Sequence, residues 1–403
     1  MKILYINALY DPYIRGGAEI SLQVLVEGMR NAGHEVAVLS LKPEGRLSVE
    51  EINGVKVYRT ALQNVYWPFA KVKPAKPLRL LWHVKDRYNA AMRKVVDQVL
   101  LLEKPDLVSC HNLVGWSVAV WEAVHHSGIP FVQVLHDLYL LCANSDMFKN
   151  GNSCEQQCFR CSVLRGLHKK KSNMVNAVVG ISHFILDRFN HFHYFSNAQH
   201  YVIYNSRNIP NTPHPQPRTP GQALRVGYLG TLATKKGIEW LIKQFNTLTT
   251  PAYLIIAGNG EKQYEEKLRA SVTNPAISFI GYTDPTTFYS MIDVLVVPSL
   301  WQEPLGMVAI EALANHVPVI ANKVGGLKET VQDGYNGLWC DDQDPDSLAK
   351  AISTMALDFT LYNDLVKQAR KSVEQILSKE RMIKAYVSVY KALQNNKHER
   401  SIS

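Results

Sequence analysis

The chain has 403 residues, 46% of them hydrophobic and 20% charged, and carries a formal net charge of +9. That length holds two or three domains with full cores, and the composition is that of an ordinary globular protein. No apolar run is long enough to span a membrane, the N-terminus MKILYINALYDPY enters directly as a strand, and no Arg/aromatic nucleic-acid module is present. A membrane-embedded, exported or nucleic-acid-binding protein is therefore not expected, and the expected location is the cytoplasm. The mild positive excess suits anionic ligands or an anionic membrane surface.

Residues Lys2 to Ala8 read as a buried first strand. After Asp11-Pro12 comes Arg15-Gly16-Gly17-Ala18-Glu19 and a helical pattern ending at Gly33. A glycine pair at a strand-to-helix turn, here Gly16 and Gly17, brings backbone amides close to a ligand. Residues 61 to 104 are a longer excursion in which Lys71, Lys73, Lys76, Arg79, Lys85, Arg87, Arg93 and Lys94 alternate with Tyr66, Trp67, Phe69, Leu78, Leu80, Leu81 and Trp82. Cations mixed with exposed apolar side chains suit an interfacial membrane contact; the same residues equally suit a packed, solvated helix. Asp106 to Cys110, Phe131 to Leu135, Ala177 to Ile181 and Tyr201 to Tyr204 read as strands, with a helix over Trp116 to His126. His136-Asp137 stands where a parallel strand ends, the side on which such sheets bind ligands. Cys142, Cys154, Cys158 and Cys161 form a cluster in the following loop. Four thiolates can hold a structural Zn²⁺; free thiols and a redox pair are the alternatives.

Residues 205 to 222, with five prolines, read as a linker. The alternation then restarts. Leu224 to Leu229 is a strand, followed by Gly230-Thr231 and by Lys236-Gly237 before a helix, a place where Lys236 can meet a diphosphate. Leu254 to Ala257 leads to Gly258-Asn259-Gly260, and Val317 to Ala321 leads to Gly325-Gly326. Glycines at consecutive strand ends draw a rim along one sheet edge. Between them lies Pro298 to Glu311, PSLWQEPLGMVAIE, read as the end of a strand, a loop and a helix. Glu303 falls in the loop and Glu311 about two turns into the helix. Gly306 lets backbone N–H groups come close to a ligand at the helix N-terminus, a natural place for phosphate. One carboxylate can then face a sugar ring and the other ribose hydroxyls. Residues Glu380 to Leu393 read as an amphipathic helix, with disorder expected after Asn395. Alternating strands and helices on both sides of a proline linker imply two doubly wound α/β domains with a ligand cleft between them.

Together Gly16-Gly17-Ala18-Glu19, Gly33-His34-Glu35-Val36, Pro105-Asp106-Leu107-Val108, His136-Asp137, Gly230-x-Leu232-x3-Lys236-Gly237, Gly258-Asn259-Gly260, Glu303-x7-Glu311 and Gly325-Gly326-Leu327-x-Glu329 resemble the motif series of retaining glycosyltransferases of family four. The resemblance covers nearly the whole chain and is most specific at the two glutamates. It implies the GT-B fold: residues 1–204 as an acceptor-binding Rossmann-like domain, 205–222 as linker, 223–378 as a nucleotide-sugar domain facing it across a cleft, and 379–395 as a helix crossing back.

The resemblance also implies roles. Glu311 would bind ribose and Glu303 hydroxyls of the transferred sugar. Lys236 and the backbone at Leu305 to Val308 would hold the diphosphate, approached from the other domain by Gly16 and Gly17. His136 would sit near the anomeric carbon. Many relatives carry Arg where Thr231 stands, so one phosphate contact here becomes a hydroxyl. The implied donor is a UDP- or GDP-sugar, used without a catalytic metal. The implied acceptor is a glycan or lipid-linked sugar of surface polysaccharide assembly, reached from the inner face of the membrane. The competing readings are a non-catalytic sugar- or nucleotide-binding protein and a phosphorylase or nucleotide-sugar epimerase on a similar fold.

Overall fold

The computed structural model describes every residue except 71, 73, 212–217, 345 and 403, with side chains described to residue 395. The chain divides into two compact units: residues 1–147, 155–206 and 378–403 form the first, and residues 148–154 and 207–377 the second. In chain order the first unit contains β1 (Lys2–Ile6), α1 (Gly17–Asn31), β2 (Glu35–Lys42), β3 (Ser48–Ile52), β4 (Val55–Ala61), α2 (Lys76–Arg87), α3 (Ala90–Glu103), β5 (Leu107–Cys110), α4 (Ala119–His126) and β6 (Phe131–Leu135). A small hairpin, β7 (Phe148–Lys149) with β8 (Asn152–Ser153), groups with the second unit. The first unit resumes with α5 (Phe159–Ser172), β9 (Ala177–Gly180), α6 (His183–His191) and β10 (Gln199–Val202). The second unit runs β11 (Leu224–Leu229), α7 (Ile238–Asn246), β12 (Ala252–Ala257), α8 (Lys262–Ala270), β13 (Ile277–Gly281), α9 (Pro285–Ser290), β14 (Val294–Val297) and α10 (Met307–Ala314). It closes with β15 (Val319–Asn322), α11 (Leu327–Thr330), β16 (Gly337–Cys340), α12 (Ser347–Leu357) and α13 (Phe359–Leu377). The last helix, α14 (Lys379–Ile402), belongs to the first unit.

The first sheet has the order β10-β9-β6-β5-β1-β2-β4-β3, and the second β13-β12-β11-β14-β15-β16. The second is parallel throughout. In each sheet the strand order reverses beside the first strand of its unit: β1 lies between β2 and β5, and β11 between β12 and β14. Such a reversal separates the loops that leave the two strands and opens a crevice at their carboxyl ends. In the first unit that topology brings the loops after β1, β5 and β6 to the same sheet edge, and in the second unit it does so for the loops after β11 and β14. The two doubly wound α/β units are the GT-B fold that the sequence leads one to expect.

The first sheet differs from the sequence expectation at its edge, where β3 pairs antiparallel with β4. Asn53 and Gly54 both adopt positive φ, 51° and 73°, which is the two-residue turn that an Asn-Gly pair favours in a hairpin. The helix expected from Trp116 starts only at Ala119. At the other end, α14 continues to Ile402 where disorder was expected after Asn395, since neither glycine nor proline interrupts its sequence. Its buried side chains Met382, Tyr386, Val389, Tyr390 and Leu393 recur at helical spacing. Each such burial is worth about 1.5–3 kcal/mol, and the Ser378 hydroxyl caps the start of the helix by accepting from Arg381 N–H at 3.1 Å. Gly28 makes the seat on α1, because a Cβ there would strike Ile383 of α14.

Candidate active site

In the second unit the two motif glutamates stand in different company. The segment carrying Glu303 leaves the fully buried strand β14 and is fastened on several sides. Asn322 donates to the Ser299 carbonyl at 2.9 Å, Gly326 N–H to the Glu303 carbonyl at 2.7 Å, and Leu300 N–H to the Lys235 carbonyl at 2.9 Å. Gly325 N–H is bound by the Gln302 side chain at 2.7 Å. The Glu303 carboxylate therefore has a fixed position. Its Oε1 accepts from Lys236 Nζ and from Ser299 Oγ, each at 2.6 Å. Burial acts to raise the Glu303 pKa, but Lys236 and Ser299 outweigh it and hold the carboxyl below its ordinary value. Glu303 is thus an anion. Lys236 keeps a quarter of its side chain exposed, and its ammonium has three donors, of which Glu303 takes one. Trp301 lies beneath both lysines, with Lys235 Nζ 4.5 Å and Lys236 Nζ 5.2 Å from its ring centre.

Glu311 is half-buried on α10. Its Oε1 accepts from Arg207 Nε at 3.3 Å. Burial raises its pKa against the pull of Arg207 and Tyr289. Arg207 was not singled out by the sequence, since it lies in the proline-rich stretch read as linker and pairs with a residue 104 positions away. Gly306, with φ of 83°, precedes α10, whose first N–H groups have no acceptor within the helix. Leu305 and Gly306 are buried, while Met307 and Val308 are half-buried. Thr231 is exposed, and its carbonyl accepts from the Tyr228 hydroxyl at 2.9 Å.

The rim glycines have a cause of their own. Gly258 has φ of 129°, and a Cβ there would run into the Gly230 carbonyl. Gly260 bridges Leu232, and a Cβ would meet the Leu232 backbone. Close passage of one loop over the next is what requires glycine at these two positions.

In the first unit Gly16 precedes α1 in extended conformation, and its N–H donates to Glu19 Oε2 at 2.9 Å, which explains the glutamate three residues on. A Cβ at Gly16 would meet only that carboxylate, at 3.9 Å, so this turn is open. His136 follows β6 and is half-buried. It is paired with His111, a residue not anticipated, whose Nδ1 lies 2.9 Å from His136 Nε2. The signal was the strand alignment: β5 and β6 are neighbours, so residues just past their ends meet. The loop after His136 is anchored from beneath. Tyr139 N–H donates to Asp137 Oδ1 at 2.8 Å, and the Tyr139 hydroxyl to the fully buried Asp86 at 2.6 Å. Arg165, also fully buried, stacks 4.4 Å over the Tyr139 ring.

Two expectations need correction. Among the described residues no group of three or more His, Cys, Asp or Glu side chains could hold a metal ion, so Cys142, Cys154, Cys158 and Cys161 do not form a zinc cage. Instead Cys161 Sγ donates to Cys142 Sγ at 3.7 Å. That hydrogen bond lowers the pKa of the Cys142 thiol from its ordinary value. Cys154 belongs to the second unit's small hairpin segment, whereas the other three belong to the first unit. The second correction concerns the basic excursion. Trp82 is buried, with its indole N–H on the Tyr66 carbonyl at 3.1 Å, so the aromatic residue is packing. Aliphatic side chains carry the exposed face of α2: Leu80 is 49%, Leu81 54% and Val84 53% exposed. Lys76, Lys85 and Arg87 flank them; Lys71 and Lys73 lie outside the described residues. The adjacent α5 adds exposed Phe159 and Val163. Among the described residues no helix is long and apolar enough to cross a membrane.

The family model for glycosyl transferases group 1 matches residues 212–372, and that for glycosyltransferase family 4 matches residues 15–209. An uncharacterized 42.6 kDa protein in the cps region of Klebsiella pneumoniae is 31% identical over 86% of this chain and 92% of its own length. An uncharacterized glycosyltransferase of Methanocaldococcus jannaschii is 28% identical over 97% of this chain and 98% of its own. Among solved structures, a sucrose-phosphate synthase from Thermosynechococcus elongatus superposes with TM-score 0.76 at 22% identity, covering 97% of this chain and 98% of that one. Anabaena HepE, in complex with UDP and glucose, superposes with TM-score 0.71 at 20% identity, covering 97% of this chain and all of its own. With both of its halves matched by these family models, on a fold of two Rossmann-like units, the chain belongs to the group 1, family 4 glycosyltransferases.

Proposed function

We propose that the chain transfers a hexose, with retention of configuration, from a UDP- or GDP-sugar to a glycan or lipid-linked acceptor in the assembly of surface polysaccharide. The observation that carries this reading is the Lys236–Glu303 pair. It sets a cation and a fixed anion side by side at the strand ends of the second unit. Cleavage of the sugar–phosphate bond leaves negative charge on the diphosphate and positive character on the sugar. Lys236 and the α10 N-terminus at Leu305 to Val308 serve the first, with Thr231 supplying a hydroxyl and the turn at Gly16 and Gly17, which has no Cβ to obstruct it, allowing close approach. Glu303 holds hydroxyls of the departing sugar, Glu311 the ribose, and His136 stands at the anomeric side. With no further carboxylate assigned as nucleophile, the acceptor hydroxyl attacks from the face the phosphate leaves. The leaving phosphate oxygen takes the acceptor's proton.

The polysaccharide context draws on the Klebsiella relative, whose name places it in a cps region, and the donor class on HepE, described with UDP and glucose. The exposed aliphatic face of α2 and its basic flanks suit an anionic leaflet, where a lipid-linked acceptor would be met. The test is a thermal-shift screen across nucleotide-sugars, since a ligand that binds the native state raises the melting temperature. NMR of the product anomer formed from the best donor follows. Retained configuration with turnover, abolished in Lys236→Ala, is expected. A donor that binds without transfer or hydrolysis, or an inverted product, overturns it.

A further inference from the structure

The loops that follow β5 and β6 are joined beneath the two imidazoles they carry. Asp86 stands on α2, a helical turn on from Trp82 and His83, and these three are the buried side chains of that helix. Its carboxylate has an oxygen for each loop. Oδ1 accepts from Gly115 N–H at 2.9 Å, in the loop after β5, and Oδ2 accepts from the Tyr139 hydroxyl at 2.6 Å, in the loop after β6. Arg165 of α5 supplies the countercharge, with Nη1 3.5 Å from Oδ2 and its guanidinium stacked on the Tyr139 ring. We infer that Asp86 is a positioning residue for the sugar-transfer site: by holding Gly115 and Tyr139 together it sets where His136 stands against His111. The inference rests on the reading in which His136 serves the sugar side of the site.

The sheet does not fix that spacing by itself. The ladder between β5 and β6 ends at Cys110 and Gln133, one residue before His111 and three before His136. Past that point side chains hold the loops. Tyr139 N–H donates to Asp137 Oδ1 at 2.8 Å, and Asn112 Nδ2–H donates to Asp137 Oδ2 at 3.5 Å. Asp137 thereby joins the same two loops a second time, at the residues next to His136 and His111. The end of α2 adds a further tie, from Asn89 N–H to Ser117 Oγ at 2.8 Å. Among these links lies the contact of the imidazoles, His111 Nδ1 2.9 Å from His136 Nε2. A carboxylate suits the place of Asp86 because it only accepts, at about four lone-pair sites, and so takes a donor from each loop at once. Asp86, Tyr139 and Arg165 are all buried. Each bond there acts in a low dielectric, and water cannot replace one that is lost. Tyr139 is the link that passes the constraint on: its hydroxyl is held by Asp86 while its N–H holds the residue beside His136.

Tyr139→Phe cuts this link and leaves the Asp86–Arg165 ion pair, the Gly115 bond and the stacked ring in place. The assay uses the full-length protein and the UDP- or GDP-sugar selected by the thermal-shift screen, with release of UDP or GDP as the readout. In Tyr139→Phe kcat should fall by about tenfold or more, the cost of a misplaced group at the reacting centre. The calorimetric Kd for free UDP or GDP should be unchanged, because Lys236 and Glu311 are untouched. In protein labelled with ¹⁵N-histidine the ring signals of His136, assigned with His136→Gln, should shift. Tyr58→Phe is the control. It also removes a buried tyrosine–carboxylate bond, to Glu103 at 2.7 Å, beside Lys2 at the start of β1. It should lower the melting temperature and leave kcat and the His136 signals as they are. If Tyr139→Phe folds poorly, Asp86→Leu/Arg165→Met, which removes the buried pair whole, should give the same two changes. Unmoved His136 signals, or a kcat equal to that of the control, overturn the inference. If no nucleotide-sugar is turned over, or His136→Gln works as fast as wild type, the reading of the site is what fails, and the His136 signals then decide the inference by themselves.

Discussion

Replacing Lys236 by methionine keeps the length of the side chain and removes its charge. Glu303, 6% exposed, would then keep Ser299 as a partner but lose its cation. In the wild type the folded pKa lies below the ordinary 4.5, so Glu303 contributes stability above that pH, and the contribution is lost as the pH falls through the folded value. In the variant burial is opposed only by Ser299 and Trp301, and the carboxyl can escape the cost of a buried charge by taking a proton. That escape sets a ceiling. Protonating a group of ordinary pKa 4.5 costs about 1.4 kcal/mol for each pH unit above it, hence about 3.4 kcal/mol at pH 7 and about 1.4 kcal/mol at pH 5.5. Outright loss of one partner from a buried pair costs about 3–5 kcal/mol. The expected destabilisation of Lys236→Met is therefore about 3 kcal/mol at pH 7, falling to at most about 1.4 kcal/mol at pH 5.5. Urea unfolding followed by circular dichroism at the two pH values measures it. Adding Glu303→Gln to the variant should abolish the pH dependence. An equal loss at both pH values, or one under about 0.5 kcal/mol, would refute the claim that Lys236 is what keeps Glu303 ionised.

Two further outcomes are expected. Glu311→Gln keeps an acceptor for Arg207 but loses the charge offered to ribose, so affinity for the nucleoside diphosphate should drop by about tenfold, roughly 1.4 kcal/mol; unchanged calorimetric affinity would remove the ribose role. Changing Lys76, Lys85 and Arg87 to Gln should weaken binding to phosphatidylserine vesicles by about 3 kcal/mol in total, near a hundredfold at low salt. Equal cosedimentation would leave α2 an ordinary solvated helix.

Much of this molecule was legible as a string of letters because the relevant physics is local. Alternating apolar runs marked Leu224–Leu229 as a strand, and Glu303 and Glu311 stood out by their spacing around the glycine that opens α10. The Asn53-Gly54 turn was equally local and was simply not read as a hairpin. Tertiary structure alone decided which charges meet. Lys236 meets Glu303 across 67 positions and Arg207 meets Glu311 across 104, pairings that depend on the strand order of the sheet and leave no periodic trace in the chain. It also decided that the Cys161 thiol meets Cys142, that Trp82 faces inward while Leu80 and Leu81 face solvent, and that His136 meets His111. Sequence periodicity says which face of an element is apolar; only packing says what lies opposite it.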